Sequence, residues 1–170
     1  KLAGIAPTSF YRHFHDMEHL GFALIDAHGQ TQLEQMHRVR EQVDSGRSLI
    51  RTSVETLFDF FFSNQGMSRM ILQESMSPQS AFGDAAEGLF VAMSKDLAEF
   101  LVRDAQDRGV SVSHPQLAAR SMVSILFAAG IALLKHPAED RDRHTEAAIA
   151  QLRMIMHGAE AMGRDTASID

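Results

Sequence analysis

The segment from Met122 to Leu134 constrains the fold more than any other part of the sequence. Only Ser124 and Gly130 interrupt its apolar residues. A helix that is apolar on every side must be covered on every side. Other helices of the chain can cover one face, and in a chain of 170 residues we expect the other face to need a partner. The alternative is that the whole segment is buried within one monomer.

The rest of the sequence favours helices joined by short loops. Ala, Leu, Met, Gln, Glu and Arg dominate, and these residue types favour helix. The 4 Pro and 11 Gly fall between periodic stretches, with Asp16 placed to cap one helix and Pro115 to open another. The fold class predicted from this pattern is all-α. The apolar spacing predicts helices at about 7–14, 17–43, 48–64, 68–74, 82–107, 115–135 and 139–162.

Composition excludes several classes of protein and site. The absence of cysteine excludes disulfides, thiolate metal sites and cysteine nucleophiles. The first residues lack the basic and apolar stretches of a secretory signal, and the run 122–134 is shorter than the roughly 20 residues that span a bilayer. The net charge of −6 argues against broad nucleic-acid binding, although residues 1–15 contain Lys1 and Arg12 and no acid. We expect a soluble, cytoplasmic protein with no membrane partner.

The first twenty residues have the order of the second half of a helix-turn-helix. The sequence K-L-A-G-I-A-P-T-S-F-Y-R-H-F-H-D-M-E-H-L predicts a helix end at Gly4, a short helix from about Pro7, and then a long helix. Ile5, Phe10 and Phe14 can share one side of the short helix and fix it to its neighbours. The residues left to face phosphates and base edges are Thr8, Ser9, Tyr11, Arg12 and His13.

The segment A-G-I-A-P-T-S-F-Y-R-H-F resembles the recognition helix of the TetR family of transcriptional regulators. The resemblance implies that Tyr11 contacts the DNA backbone and that Thr8, Ser9 and Arg12 lie in the major groove of a palindromic duplex. The family often has Lys where this chain has Met17. Further segments, among them I-R-T-S-V, M-V-S-I-L-F-A-A-G and Q-L-R-M-I, are similar to the FabR and DesT group. That similarity implies a repressor of unsaturated fatty acid synthesis that senses long-chain acyl-CoA or acyl carrier protein.

The resulting domain prediction has two parts. Residues 1–16 are the C-terminal part of a helix-turn-helix domain, incomplete at its start, and residues 17–170 form a helical ligand-binding and dimerisation domain with 17–43 as connecting helix. A complete DNA-binding unit requires roughly 30 further residues upstream, with several Lys or Arg. We expect no enzyme activity and no cofactor, because no G-x-S-x-G motif and no phosphate-binding Gly loop occur.

The last predicted helix carries an apolar stripe whose spacing alternates between four and three residues, from Ala148 to Met162. This spacing is typical of the seam of a helix bundle. Two such helices from each of two chains would form a four-helix homodimer interface. The residues predicted at that interface are Ala129, Leu133, Leu152, Ile155 and Ala159.

Phe and Met residues are plentiful enough to line an adaptable apolar cavity for an acyl chain. A phosphorylated or thioester head group would need a cation at the mouth, and Arg51, Arg69 and Arg103 are candidates, with Arg51 the preferred one. For any single Phe or Met the alternative is ordinary core packing, and for any single Arg it is a solvated surface charge. The predicted apolar contacts are Phe58, Phe62, Met70, Phe82, Phe90, Met93, Met122 and Phe127.

Two alternative interpretations compete with the repressor. His15, Glu18 and His19 match the H-x-x-E-H zinc-protease motif, but Asp16 as a helix cap leaves His15 outside the helix and no third ligand is evident, so we predict no metal site. A helical lipid-binding or carrier protein without DNA-binding activity would explain the apolar helices, though not the N-terminal motif.

Overall fold

The computed structural model describes residues 11–42, 49–74, 77, 81–135 and 140–167. Within these ranges every regular element is a helix, which confirms the predicted all-α fold class. A short helical segment at residues 11–13 precedes the first long helix. The long helices are α1 (Met17–Gln42), α2 (Leu49–Ser63), α3 (Gln65–Glu74), α4 (Gly83–Asp107), α5 (Pro115–Lys135) and α6 (Arg141–Ala167).

The helix boundaries follow the polar, Pro and Gly residues that separate the apolar stretches. α1 begins at Met17 because the Asp16 carboxylate accepts a hydrogen bond from the backbone N–H of His19 at 2.7 Å. After α4 the chain turns at Gly109, whose φ of 65° lies in the left-handed region that favours glycine. α6 continues beyond the predicted end at 162, since its backbone packs at Gly163 against the loop before α5. There a Cβ would lie 2.4 Å from the carbonyl oxygen of Ser111.

α5 lies at the centre of the molecule and contacts α2, α3, α4 and α6. Its closest approach to α2 is at Gly130, where a Cβ would lie 2.5 Å from the ring of Phe61. Ser124 and Ala128 lie on its exposed side. The chain itself therefore covers most of the apolar segment, and one narrow face remains open. The buried side chains and glycine of α5 are Ala118, Ala119, Met122, Val123, Leu126, Phe127, Gly130 and Leu133.

α5 is also the one helix in the described part of the chain that is long and apolar enough to cross a membrane. A stretch of 18 residues within Pro115–Lys135 has a mean hydropathy of 2.0, and half of that stretch is buried inside the protein. The flanking residues of the helix extend the apolar run enough to meet this criterion. The core helix of a soluble protein meets the same criterion, so the finding is weak evidence for a membrane span.

α1 packs along α2 and α4 through one stripe of residues. Gly21 and Gly29 on this stripe allow the side chains of Phe82 and Leu89 to approach the helix backbone, where a Cβ would lie within 2.6 Å of each. His28 packs against the ring of Phe60 on α2, with 4.5 Å between ring centroids. The contact between α1 and the body therefore depends on small residues facing aromatic and aliphatic side chains.

The close packing at Gly130 yields a stability prediction. Gly130→Ala places a methyl group against the buried Phe61 ring and should destabilise the protein by about 1–3 kcal/mol, the usual effect of overpacking. Gly88→Ala is the matched control, because nothing lies within 4 Å of its added Cβ and helix propensity should stabilise it by about 0.5–1 kcal/mol. Urea unfolding measures both changes. Equal stabilities for Gly130→Ala and Gly88→Ala would contradict the close contact between Gly130 and the Phe61 ring.

A second prediction concerns the half-buried His28. Burial lowers the pKa of His28 below its ordinary 6.5, so below that pH the unfolded chain binds a proton that the folded chain resists. The His28 contribution to stability is therefore present above pH 6.5 and is lost as the pH falls toward the lower, folded-state pKa. His28→Gln should reduce the drop in urea midpoint between about pH 7.5 and pH 5.5. An unchanged drop would show that His28 does not resist protonation in the fold.

Candidate functional site

An apolar cavity of about 90 Å³ lies in the body, enclosed by five of the six helices. Its lining contains both aliphatic and methionine side chains. Because methionine side chains are flexible, the cavity walls can adapt to an occupant. The lining residues are Leu33, Met36 and Arg40 of α1, Leu49, Ile50, Ser53 and Leu57 of α2, Met93, Asp96, Leu97, Phe100 and Leu101 of α4, Met122, Val123 and Leu126 of α5, and Leu152 and Met156 of α6.

One charged pair lines this otherwise apolar cavity. Arg40 Nη1 donates a hydrogen bond to Asp96 Oδ2 at 2.5 Å, and the two side chains are only 12% and 17% exposed. The Arg40 guanidinium also lies over the ring of Phe100, 5.0 Å from its centroid. The other carboxylate oxygen of Asp96 accepts a hydrogen bond from Nε2 of His37, whose side chain is 54% exposed. Asp96 on α4 thus links two successive turns of α1.

Two of the predicted apolar contacts, Met93 and Met122, line the cavity. Phe58 lies instead in the core with no exposed surface. Phe62 and Met70 are half-buried against the core.

The remaining predicted apolar contacts also lie away from the cavity. Phe82 packs on α1, where its ring meets that of Phe22 with centroids 5.3 Å apart. Phe127 is buried and meets the ring of Phe90 edge to face at 5.4 Å. Both of these aromatic pairs hold helices together, which is the core-packing alternative for a phenylalanine at helical spacing.

The cations proposed for the head group have other partners or another location. Arg51 is paired with Glu146 at 2.6 Å and with Glu55 at 3.2 Å, and the hydrogen bond from Arg51 lowers the pKa of the Glu146 carboxyl below 4.5. Arg69 donates to the backbone carbonyl of Leu134 at 2.6 Å, near the end of α5. Arg103 lies on the outer side of α4. None of the three lines the cavity.

Arg103 and the predicted contact Phe90 lie in an open groove of about 730 Å³ on the outside of α4 and α5. This groove is larger than the internal cavity but much less enclosed. Arg120 lies over the Phe90 ring, 5.8 Å from its centroid. The groove residues are Phe90, Val91, Ser94, Lys95, Ala98, Glu99, Val102, Arg103, Gln116 and Arg120.

Sequence reasoning missed Arg40 and Asp96, although α1 carries a signal for Arg40. Ile25, Gln32 and Met36 are buried along the stripe of α1, and Arg40 occupies the next position, four residues after Met36. A charged residue on the buried stripe of a helix requires a partner. The sequence therefore indicates that Arg40 is unusual, but it does not identify Asp96, which comes from a helix distant in sequence.

The N-terminal candidates are described in part. Tyr11 is 68% exposed, and Arg12 and His13 are also exposed. Thr8 and Ser9 lie outside the described residues. Three residues separate His13 from α1, and the cap at Asp16 together with the edge-to-face contact of Phe14 and His19, 5.7 Å between centroids, orders this junction. The exposed side chains of residues 11–13 therefore lie just before the start of α1.

The His15–Glu18–His19 pattern does not form a metal site. His15 precedes α1, as predicted, and its ring stacks on that of His19 at 5.3 Å between centroids. Among the described residues no group of three or more His, Asp or Glu side chains could hold a metal ion.

The predicted interface residues lie mostly against their own chain. Leu133, Leu152 and Ala159 are buried in the monomer, and Ala129 and Ile155 are partly buried against the same core. A partner would therefore meet an adjacent face of α5 and α6. The exposed residues of α5 and α6 with small or apolar side chains are Leu117, Ser124, Ala128, Ala147, Ala150, Met154, Gly158 and Met162.

No protein-family model matches the chain.

The buried position of the Arg40–Asp96 pair yields a stability prediction. Asp96→Asn leaves the Arg40 charge without its carboxylate at a site that water hardly reaches, and should destabilise the protein by about 1–3 kcal/mol. Glu146→Gln removes the partner of an exposed arginine and should leave the urea midpoint almost unchanged. If the two variants unfold alike, the Asp96 pair has no special role in stability.

Proposed function

We propose that this chain is the greater part of a TetR-type transcriptional repressor controlled by a hydrophobic effector. The observation that carries the proposal is the double role of α1. Its start bears the exposed residues Tyr11, Arg12 and His13 across a three-residue junction, and its later turns form a wall of the apolar cavity through Leu33, Met36 and Arg40. A ligand in the cavity can therefore act on the N-terminal segment through one helix.

The side chains at the start of α1 suit contact with DNA. Arg12 presents a guanidinium that can bond to base edges or phosphates, and Tyr11 presents a hydroxyl. The cap at Asp16 fixes the junction locally, so the direction of the short segment follows the direction of α1. In a homodimer, two such segments would need to lie about 34–36 Å apart to enter successive major grooves of a palindromic duplex.

The size of the cavity supports a coupling mechanism. A volume of about 90 Å³ is smaller than an apolar cavity of about 150 Å³ that binds one benzene molecule, and is too little for a long acyl chain. A long-chain acyl-CoA or acyl carrier protein could deliver its chain only if the surrounding helices separated. Expansion between α1 and α4 would change the direction of α1, and the effector would then bind the DNA-competent and DNA-incompetent states with different affinity.

The proposed homodimer would use the exposed face of α5 and α6. Small residues such as Ala128, Ala150 and Gly158 allow helices to approach closely, and Met154, 65% exposed, supplies an apolar side chain at the centre of the face. Two helices from each chain would then form a four-helix interface. The proposed protein is cytoplasmic, regulates genes of unsaturated fatty acid metabolism, and has no enzyme activity, cofactor or membrane partner.

A second candidate function is a helical lipid-binding or carrier protein without DNA-binding activity. The cavity favours this candidate as much as the first, since it does not depend on residues 11–13. The two candidates differ only in whether the start of α1 contacts DNA.

The deciding experiment is a mobility shift of the complete protein on DNA from its own upstream region, with saturated and unsaturated long-chain acyl-CoA added in parallel. We expect a shift whose extent differs between the two acyl chains. A shift that ignores both chains would keep the repressor and discard the effector. The absence of a shift on every candidate promoter would favour the lipid-binding protein.

The same assay tests the DNA-facing residues. Arg12→Ala removes a guanidinium that we propose contacts DNA, and should weaken operator binding about tenfold, the effect of losing one good base or phosphate contact. Arg103→Ala is the matched control, since Arg103 lies in the outer groove of α4 and should leave the affinity unchanged. An equal effect of the two substitutions would mean that the protein binds DNA through its general charge.

A further inference from the structure

We propose that the Arg40–Asp96 pair is an internal latch, and that the cavity takes an amphiphile whose anionic head group replaces Asp96 at the Arg40 guanidinium. The ligand class is an apolar chain that ends in one carboxylate or phosphate. The inference deepens the proposed function, because it uses the same cavity.

The lining of the cavity directs the head group to one place. Arg40 and Asp96 are its two charged residues, while Met36, Met93 and Met122 are among its apolar ones. An apolar chain can lie among the adaptable methionine side chains. A charged head group inside such a site needs an opposite charge within hydrogen-bond distance. Arg40 and Asp96 therefore decide which head group the cavity accepts.

The geometry favours an anionic head group over a cationic one. Arg40 has a second anchor besides Asp96, the face of the Phe100 ring at 5.0 Å, so the guanidinium can stay in place when its carboxylate partner leaves. Asp96 has a second partner in His37, whose side chain is half exposed. Asp96 can therefore turn toward solvent without losing all its hydrogen bonds. A cationic ligand would instead have to displace Arg40, which is only 12% exposed.

The exchange would also release α1 from α4. Arg40 and His37 both belong to α1, and Asp96 joins them to α4. When a ligand carboxylate or phosphate takes the place of Asp96, the hydrogen bond from Arg40 no longer crosses between the two helices. Other described contacts of α1 with α4 and the residue preceding it include the apolar ones of Gly29 with Leu89 and of Gly21 with Phe82. The empty site thus holds the later turns of α1 to α4 by two hydrogen bonds at Asp96, and the occupied site keeps only the exposed one from His37.

The test is calorimetric titration of the complete protein with decanoate, decyl phosphate and decanol, each below its aggregation concentration. Decanoate and decanol share a tail, so the ratio of their dissociation constants isolates the head group. We expect the wild type to bind decanoate about tenfold more tightly than decanol, as one hydrogen bond to a charged group allows. Decyl phosphate tests whether the site accepts either anion or only a carboxylate.

Variants of Arg40 and Asp96 distinguish the effects of the two residues on ligand binding. Arg40→Gln should bring the decanoate-to-decanol preference to about one, and Arg40→Lys should keep part of it because the charge remains. Asp96→Asn should tighten decanoate binding several-fold and leave decanol unchanged, because the internal competitor is removed. Arg51→Gln is the control, since Arg51 is exposed and outside the cavity. A thermal melt of each protein shows whether the variant is folded. Partial anion preference in Arg40→Lys shows that the loss in Arg40→Gln is due to the missing charge.

Three results would overturn the latch: no binding of any of the three amphiphiles, equal wild-type affinity for decanoate and decanol, or full anion preference in Arg40→Gln. Failure of the latch can be distinguished from failure of the proposed function, because the first is measured by ligand binding and the second by DNA binding. A protein that binds decanoate through Arg40 but shifts no DNA would refute the repressor and support the latch. A DNA shift that responds to decanoate equally in wild type and Arg40→Gln would support the repressor and refute the latch.

Discussion

The need to cover α5 organises this structure. Because α5 is apolar on nearly every side, α2, α3, α4 and α6 gather around it and form one core. Gly130 permits one close approach, with Phe61 and Leu72 against the helix backbone. Such packing leaves little freedom among the central helices, since interiors of this density respond to the addition of even one methyl group. The body can therefore serve as a rigid reference against which another helix moves.

In the proposed mechanism, α1 is the helix that moves. It lies on the outside of this core and contacts α2, α3 and α4, and one charged bridge at Asp96 supplements its apolar contacts with α4. A polar bridge at low exposure depends strongly on its partners, because either charge alone is costly to bury. Replacing one partner by an equivalent ligand group removes that cost. A cavity next to such a bridge is therefore a place where binding and helix movement can be coupled.

The sequence predicted the helices far better than the site. Periodicity, the Asp16 cap and the positions of Pro115 and Gly109 placed the helix boundaries within a few residues, because these signals are local. Cavity residues depend on which helices meet, and periodicity does not contain that information. Among the predicted apolar contacts, Met93 and Met122 line the cavity, whereas Phe58 and Phe127 are buried outside its lining. Likewise, the seam spacing in α6 marks the face that meets its own chain.

Charged residues were the harder part of the prediction for a related reason. Arg51 was preferred as a head-group cation, but its position on α2 faces solvent and acids of α2 and α6. Arg40 is recognised as a partly buried residue only when the buried stripe of α1 is extended by one turn beyond Met36. Its partner comes from α4, so no pattern within α1 could supply Asp96. Burial, rather than the neighbouring sequence, distinguishes the two arginines.

The small volume of the cavity relates ligand binding to the position of α1. A preformed cavity large enough for a long chain could bind it without any movement, and occupancy would then have no means of reaching the start of α1. A cavity of about 90 Å³ cannot take a long chain without moving a wall. The walls contributed by α5 are fixed by dense packing, while the wall contributed by α1 is held by a bridge that an anion can replace. In the proposed mechanism, binding and displacement of α1 are therefore one event, and the free energy of the new contact at Arg40 offsets the free energy lost when α1 separates from α4.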